Sequence, residues 1–190
     1  MILVNGVPGS GKSTLARPLA RALGLPLFAK DVIKETWADF LAPDGRSPRE
    51  WSMLLGAAAS ETMWRLLAES PIGGIVDSPH TEAMRPHVEA GLARSGIGHP
   101  LELWCDVPLE LAAQRCDERQ PTRHAIHASS AGTIPTTDSP GPLAIGPVLR
   151  VDTSTTVDIE RVAAWCREQP VGQRPLSAAV AARPDSDSRH

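Results

Sequence analysis

The chain has 190 residues, of which 42% are hydrophobic and 22% charged, and its 19 basic and 22 acidic side chains leave a formal charge of -3. This length suits a single domain, and the near-neutral balance disfavours a dedicated nucleic-acid binder, which needs excess positive charge to hold a phosphate backbone. The apolar stretches are far shorter than the roughly 20 residues that cross a bilayer, so we expect a cytoplasmic protein without a membrane segment. Three cysteines without a CxxC pair suggest neither a disulfide framework nor a zinc site.

Five short apolar runs, each bounded by glycine, proline or polar residues, are predicted to be buried β-strands. They lie at residues 2–4, 26–29, 74–76, 101–105 and 148–151. Helical periodicity fills the intervals, with leucines at every fourth residue from Leu15 to Leu23 and a longer apolar face over residues 51–67. Strands that alternate with helices imply a parallel sheet covered on both faces, because each crossover returns over the sheet. The sequence therefore predicts an α/β fold of three layers.

Two stretches do not fit this alternation. Residues 120–147 are rich in Pro, Gly, Ser and Thr, which predicts either disorder or a mobile lid, because plain connections rarely reach this length. Residues 170–190 contain three prolines and little bulk. We expect a loosely structured tail there, in which residues 176–182 have the pattern of a short helix.

The strongest functional signal is the stretch GVPGSGKST at residues 6–14, which follows the first predicted strand and opens the first predicted helix. It satisfies G-x-x-x-x-G-K-[ST], the motif of loops that cradle nucleotide phosphates. Glycines let the backbone wrap an anion closely, and successive N–H groups at a helix N-terminus present a positive dipole to it. A turn that only joined a strand to a helix would not need lysine here. The residues predicted to bind the nucleotide are Gly6, Pro8, Gly9, Ser10, Gly11, Lys12, Ser13 and Thr14.

This motif assigns roles within ATP binding but does not name the reaction. Lys12 is expected to reach the β- and γ-phosphates, Ser13 to ligate Mg²⁺ and Thr14 to hydrogen-bond the α-phosphate. The guanine-reading string N/T-K-x-D of GTPases is absent, and the third predicted strand ends in IVDS rather than in the Asp-Glu pair of water-activating ATPases. The pattern therefore favours a compact phosphoryl-transfer enzyme, in which positioning and charge neutralisation supply most of the catalysis.

Further features make the sequence similar to small P-loop kinases of the AAA_33 or zeta-toxin-like type, and more distantly to shikimate, gluconate and chloramphenicol kinases. They are the phosphate motif, the string LPLFAKDVIKE at residues 25–35, Asp77 at a strand end, and Arg115, Arg119 and Arg123. The resemblance implies a P-loop NTPase fold with a five-stranded parallel sheet in the order 2-3-1-4-5. It covers about residues 1–168, with an arginine-bearing lid at about 116–146 and the tail at 169–190.

The resemblance also implies roles for two carboxylates at strand ends. Asp31 would lie near Mg²⁺ and the acceptor hydroxyl, where a carboxylate can accept a proton or hold a metal-bound water. Capping of a helix that begins at Val32 is a compatible structural role. Asp77 would contact Mg²⁺ or the substrate at the rim where ligands of open parallel sheets collect, and its structural alternative is a cap for a helix near Glu82.

The arginine series leads directly into the predicted lid. By resemblance Arg115 would stack on adenine, while Arg119 and Arg123 would clamp the transferring phosphate when the lid closes. A solvated helix face, paired with neighbouring acidic residues, is the alternative. His124 and His127 lie beside the series and are only weak evidence for a metal site.

The acceptor side carries weaker signals. His80 and Arg85 follow the third strand and are candidates for substrate contacts, although an ordinary polar loop explains His80 equally well. Lys30 and Lys34 flank Asp31 and, with Lys12, are all the lysines of the chain. We expect the two flanking lysines to form ion pairs with neighbouring carboxylates.

Together these features predict an enzyme that binds ATP and Mg²⁺ and moves the γ-phosphoryl group to a hydroxyl of a small molecule. Two alternatives stay open. A polynucleotide 5′-hydroxyl kinase would need a basic groove for the strand, which the net charge disfavours. A regulatory module would bind ATP without transferring phosphate.

Overall fold

The computed structural model describes residues 1–130 and 140–169. Within them the chain forms five strands, which are β1 (Ile2–Asn5), β2 (Leu27–Ala29), β3 (Ile75–Asp77), β4 (Leu101–Asp106) and β5 (Val148–Asp152). The helices are α1 (Lys12–Leu23), α2 (Lys30–Phe40), α3 (Pro48–Glu69), α4 (Arg85–Arg94), α5 (Leu109–Arg119) and α6 (Ile159–Glu168), with short 3-10 helices at Glu82–Met84, Gln120–Thr122 and Ala125–Ser130. The predicted tail from residue 170 onwards, with its short helix, lies outside the described residues.

The five strands form one parallel sheet in the order β2-β3-β1-β4-β5, which confirms the predicted fold class and strand order. The main departure is at the carboxyl ends, where four strands continue one residue beyond the predicted apolar run. The added residues are Asn5, Asp77, Asp106 and Asp152. Apolar patterning ends at the last buried side chain, whereas backbone pairing continues through a polar residue. These polar ends all lie at one edge of the sheet.

Helices cover both faces of the sheet, as expected for a parallel sheet. Along β1 the side chains alternate, so Ile2 and Val4 join the cluster under α1 and α6, while Leu3 joins the cluster under α3 and α4. Trp64 is fully buried in the second cluster. No helix in the described part of the chain is long and apolar enough to span a membrane.

The described parts of residues 120–147 contact the domain, although the sequence suggested disorder or a mobile lid there. Ile126 and His127 are buried, and Leu143 packs into the cluster under α3 and α4. The backbone N–H groups of Leu143 and Ala144 donate to the Glu102 carboxylate at 3.0 and 2.8 Å. Isolated anchoring residues of this kind leave no periodicity to detect. Residues 131–139 of the predicted lid lie outside the described residues.

Candidate active site

The loop between β1 and α1 has the backbone of a phosphate cradle. Gly6, Gly9 and Gly11 have φ angles of 148, 82 and 85°, which is the region that favours glycine. At Gly9 a Cβ would also overlap the backbone carbonyl of Ala112 on α5, so the loop and that helix approach each other only because a side chain is missing. The cradle therefore depends on glycine both for its conformation and for its contact with α5.

Lys12 begins α1 and turns back across the cradle. Its ammonium donates to the carbonyl oxygens of Gly6 and Val7, each at 2.8 Å. Burial lowers the pKa of Lys12, while the nearby carboxylates of Asp77 and Asp31 act in the opposite direction. A partly desolvated ammonium attracts phosphate oxygens more strongly than one in bulk water.

Asp77 ends β3 beside the cradle and is only 6% exposed. Burial raises its pKa, and the Ser13 hydroxyl and the Lys12 ammonium oppose this rise. Among residues 1–130 and 140–169, no group of three or more His, Cys, Asp or Glu side chains is arranged to hold a metal ion. Mg²⁺ bound with a nucleotide needs no such cage, since it takes one or two protein oxygens together with phosphate and water. The oxygens of Ser13 and Asp77 fit that requirement.

Asp31 lies in the first turn of α2 at the same edge of the sheet. The helix begins at Lys30, and its N-cap is Ala29, so the alternative prediction that Asp31 caps a helix starting at Val32 is wrong. The corresponding prediction for Asp77 is also wrong, since the 3-10 turn at Glu82–Met84 is preceded by Thr81. Neither carboxylate is therefore used as a helix cap.

The predicted arginines lie on α5 and in the segment that follows it. We call residues 115–130 the arginine segment. Arg115 donates to the carbonyl oxygens of Thr153 and Ser154 at 2.9 and 3.1 Å, and it lines a cavity of about 710 Å³ with Gly11 and Thr14. We call this the base-side cavity, because it lies beside the cradle and is walled by the loop after β5. The guanidinium of Arg115 is thus held against the loop after β5, and its stacking on adenine stays a prediction.

A second cavity, of about 460 Å³, brings most of the predicted site residues together, and we call it the transfer cavity. Arg119 lines both cavities. Of the predicted residues, the transfer cavity is lined by Pro8, Gly9, Gly11, Lys12, Ser13, Thr14, Asp31, Asp77, Arg119 and Arg123. The structure therefore places the cradle, two carboxylates and two arginines around one space.

Comparison with known proteins agrees with this geometry. The model of the AAA_33 family, described as an AAA domain, matches residues 1–132. The chain belongs to this family. No curated protein matches its sequence significantly.

Solved structures similar to this AAA_33 chain include a "putative kinase" from Chloroflexus aurantiacus, which is 30% identical with a TM-score of 0.68 over 87% of this chain and 92% of that one. Shikimate kinase from Aquifex aeolicus is 17% identical, with a TM-score of 0.51 over 87% and 92%. The APS kinase of Mycobacterium tuberculosis, in complex with AMPPNP and APS, is 20% identical, with a TM-score of 0.55 over 87% and 94%. The last two show likeness of fold. Family and fold together support a P-loop kinase that binds nucleotide.

Several residues of the transfer cavity were not predicted as site residues. They include Arg17, Lys30, Lys34, Glu35, Cys116 and His127. Lys34 is only 6% exposed, and its ammonium donates to Ser52 Oγ at 2.7 Å. The expected ion pair of Lys34 with a neighbouring carboxylate does not form within the described residues. Burial lowers the pKa of Lys34, and the ammonium of Lys30 adds to this effect.

Two predicted substrate residues do not line the transfer cavity. The Arg85 guanidinium is engaged by Glu82 and by the Leu143 carbonyl oxygen, the latter at 2.6 Å. His80 is 2% exposed, and its ring nitrogens have no hydrogen-bond partner within the described residues. Burial, followed by repulsion from Lys30, lowers the pKa of His80 to about 3. The chain lines the cavity as far as Ser78 and Pro79 and then turns away from it, so neither His80 nor Arg85 reaches the cavity.

Sequence reasoning also missed a buried polar connection behind the cradle. Asn5 Oδ1 accepts from the backbone N–H groups of Gly6 and His80, both at 2.8 Å. Asn5 Nδ2 donates to Glu102 Oε1 at 2.9 Å and to the His80 carbonyl oxygen at 3.0 Å. A glutamate within an otherwise apolar strand was the available signal, since a buried carboxylate requires hydrogen-bond donors. The pair joins the start of the cradle to the loop after β3.

Proposed function

We propose that the chain transfers the γ-phosphoryl group of Mg·ATP to a hydroxyl group of a small molecule. The transfer cavity is the observation that supports this most directly, because one space is lined by the cradle lysine, by Asp31 and Asp77, and by Arg119 and Arg123. Phosphoryl transfer needs groups that position the phosphate, neutralise its charge and receive the proton of the attacking hydroxyl. The related protein from Chloroflexus aurantiacus also carries the name of a kinase.

The cradle is proposed to bind and orient the nucleotide. Backbone N–H groups of residues 9–14 would surround the phosphates, while the Lys12 ammonium moves from its carbonyl partners to phosphate oxygens. Ser13 and Asp77 would hold Mg²⁺, which when bound neutralises charge on the phosphates. Arg115 would pack against the base in the base-side cavity.

The other wall of the transfer cavity is proposed to perform the transfer. Asp31 accepts the proton of the acceptor hydroxyl as its oxygen attacks the γ-phosphorus, and the bond from phosphorus to the leaving oxygen of ADP breaks. Arg119 and Arg123 donate hydrogen bonds to the oxygens of the group in transit, where negative charge is spread in the transition state.

The proposal is tested by a coupled ADP-release screen over alcohols, sugars, nucleosides and hydroxylated antibiotics, with Lys12→Ala as the blank. We expect at least one acceptor to stimulate ADP release by the wild type, and Lys12→Ala to reduce that turnover roughly 100- to 1000-fold. Asp31→Asn should bind Mg·ATP with near wild-type affinity in calorimetry and lose transfer. Full turnover by Asp31→Asn would remove it as the proton acceptor.

The same screen separates the enzyme from a regulatory module that only binds ATP. A wild-type protein that binds Mg·ATP tightly, yet releases no additional ADP with any member of the panel, would favour the module and contradict the proposed transfer.

A further inference from the structure

The arginine segment contacts helix α2 through two histidine–carboxylate pairs. His127 Nε2 lies 2.8 Å from Glu35 Oε1, and His124 Nε2 lies 3.1 Å from Asp39 Oδ1. The two carboxylates are four residues apart, so they occupy neighbouring positions on one face of α2. Two contacts one helical turn apart fix both the position and the direction of the segment along the helix, which a single contact would leave free to pivot.

The pair formed by His127 is the more protected of the two. The side chain of His127 is 4% exposed, whereas that of His124 is 29% exposed. Burial lowers the pKa of His127, and the carboxylates of α2 that face it oppose this. A neutral imidazole donates its Nε2–H to the carboxylate, and a hydrogen bond to a charged group is stronger than one between neutral groups. The His127–Glu35 bond should therefore dominate the docking of the segment.

Both partners of this bond belong to elements that carry the proposed chemistry. Glu35 follows Asp31 by one helical turn on α2, and His127 follows Arg123 by four residues. All four side chains line the transfer cavity. The separation between the arginines and Asp31 therefore depends on how the arginine segment sits on α2.

We propose that His127 is a positioning residue for phosphoryl transfer, which holds Arg119 and Arg123 in register with Asp31 through its hydrogen bond to Glu35. The His124–Asp39 pair supports the same docking one turn further along α2. This inference rests on the proposed function for its catalytic consequence. The contact itself does not touch the cradle, so its loss should slow transfer while leaving the affinity for Mg·ATP unchanged.

The test compares His127→Ala, His127→Gln, Glu35→Ala and the double variant His127→Ala/Glu35→Ala with the wild type. A glutamine places an amide N–H near the position of the imidazole Nε2–H, so it can restore the bond to Glu35. His99→Ala, which removes an exposed histidine far from the contact, is the matched control. Three quantities are measured: hydrogen exchange of backbone amides in residues 120–130, Mg·ATP affinity by calorimetry, and ADP release with water as the acceptor.

We expect His127→Ala and Glu35→Ala each to increase exchange in residues 120–130 and to slow ADP release, both about tenfold, with Mg·ATP affinity within about twofold of wild type. The double variant should lose no more than either single variant, because both remove one bond. His127→Gln should recover most of the loss, and His99→Ala should match the wild type.

Three outcomes would overturn the proposal. Additive losses in the double variant would mean that the two residues act separately. Faster exchange with unchanged ADP release would mean that the contact is structural without positioning the arginines. Unchanged exchange in both single variants would mean that the bond does not dock the segment. If the wild type fails to bind Mg·ATP, the proposed function is overturned instead. The exchange data would still show whether the His127–Glu35 bond docks the segment on α2.

Discussion

The cradle and the arginine segment face each other across the transfer cavity, but they are held in place by different means. The cradle is fixed mainly by its backbone, through glycines with left-handed φ angles and a close approach to α5, and the Asn5 side chain adds a buried bond to the Gly6 N–H group. The arginine segment is fixed by side chains, above all by His127 and His124, which contact Glu35 and Asp39 of α2. Backbone geometry requires particular residue types at particular spacings, whereas side-chain docking can be achieved by many pairs.

This difference suggests a division of function. In the proposed function the backbone cradle binds the phosphates, which all nucleotide donors share, so a change in its shape would bring no advantage. A segment held by side chains on α2 can change its register with a few substitutions, and its residues line the cavity in which we propose that the acceptor binds. Four sets of substitutions can test whether the two walls differ in this way.

The cradle should not tolerate a methyl group at Gly9. We expect Gly9→Ala to weaken Mg·ATP binding at least about 100-fold, because left-handed backbone alone costs about 1–3 kcal/mol for a non-glycine residue and the added Cβ also overlaps the Ala112 carbonyl. Calorimetric titration with Mg·ATP measures the loss. Gly56→Ala in α3 is the matched control, since nothing lies near its Cβ, and it should raise stability by about 0.5–1 kcal/mol. Near-normal binding by Gly9→Ala would contradict a backbone-defined cradle.

The Glu102 carboxylate should matter for stability more than any exposed acid. Glu102→Ala leaves Asn5 Nδ2 and the backbone N–H groups of Leu143 and Ala144 without their buried acceptor, so we expect a loss of about 3 kcal/mol in the free energy of unfolding. Urea denaturation measures it. Glu110→Ala, on an exposed position of α5, should change stability very little. Equal effects of the two variants would show that the hydrogen bonds of Glu102 add no more to the free energy of unfolding than an exposed acid does.

The arginines should affect turnover rather than nucleotide affinity. We expect Arg119→Ala and Arg123→Ala each to lower the rate of ADP release between about 10- and 100-fold, because each removes a donor to the phosphoryl group in transit. Mg·ATP affinity, measured in parallel, should change less than the rate. If a variant loses affinity and rate equally, its arginine contacts the bound nucleotide before transfer begins. That arginine would then act in nucleotide binding, as the cradle does.

Burial of His80 should make the cradle side sensitive to acid. The folded-state pKa of about 3 lies below the ordinary value of 6.5, so the unfolded chain binds a proton that the folded chain does not between these values. The contribution of His80 to stability is therefore present above about pH 6.5 and is lost as the pH falls, by about 1 kcal/mol between pH 7 and pH 5.5. Urea titrations of the wild type and His80→Phe measure this difference. An identical pH dependence in His80→Phe would remove His80 as its source.

The sequence predicted the cradle half well, because its determinants are local. The motif at residues 6–14 specifies conformation and chemistry within nine consecutive residues, and apolar runs with the family resemblance predicted the strand order that the structure confirms. The predicted apolar runs stop one residue before the last paired residue wherever that residue is Asn or Asp. Backbone pairing, rather than side-chain polarity, decides where a strand ends.

The opposite wall was harder to predict because its contacts are distant in sequence. His127 and Glu35 are 92 residues apart, and their contact depends on how α2 and the arginine segment pack together. One contact on the cradle side was missed for the same reason, since Glu102 and Asn5 are 97 residues apart and are joined only by the register of β1 with β4. Arg85 shows the opposite error. It was predicted to contact the substrate because it is close in sequence to the end of β3, but the chain leaves the transfer cavity after Pro79.

The loop after β5 limits how far the chain can be shortened from its C-terminal side. Thr153 Oγ1 donates to the Ser10 carbonyl oxygen at 2.7 Å, and the Thr153 carbonyl oxygen holds Arg115. The family match ends at residue 132, so Thr153 lies outside it, while Ser10 and Arg115 lie within it. A fragment that ends at residue 132 would keep the entire phosphate motif but would lose the hydrogen bond from Thr153 to the cradle. It would also leave β4 as an unpaired edge, which is a template for aggregation. A fragment that keeps the loop after β5 together with its packing helix must therefore extend at least through Glu168, at the end of α6.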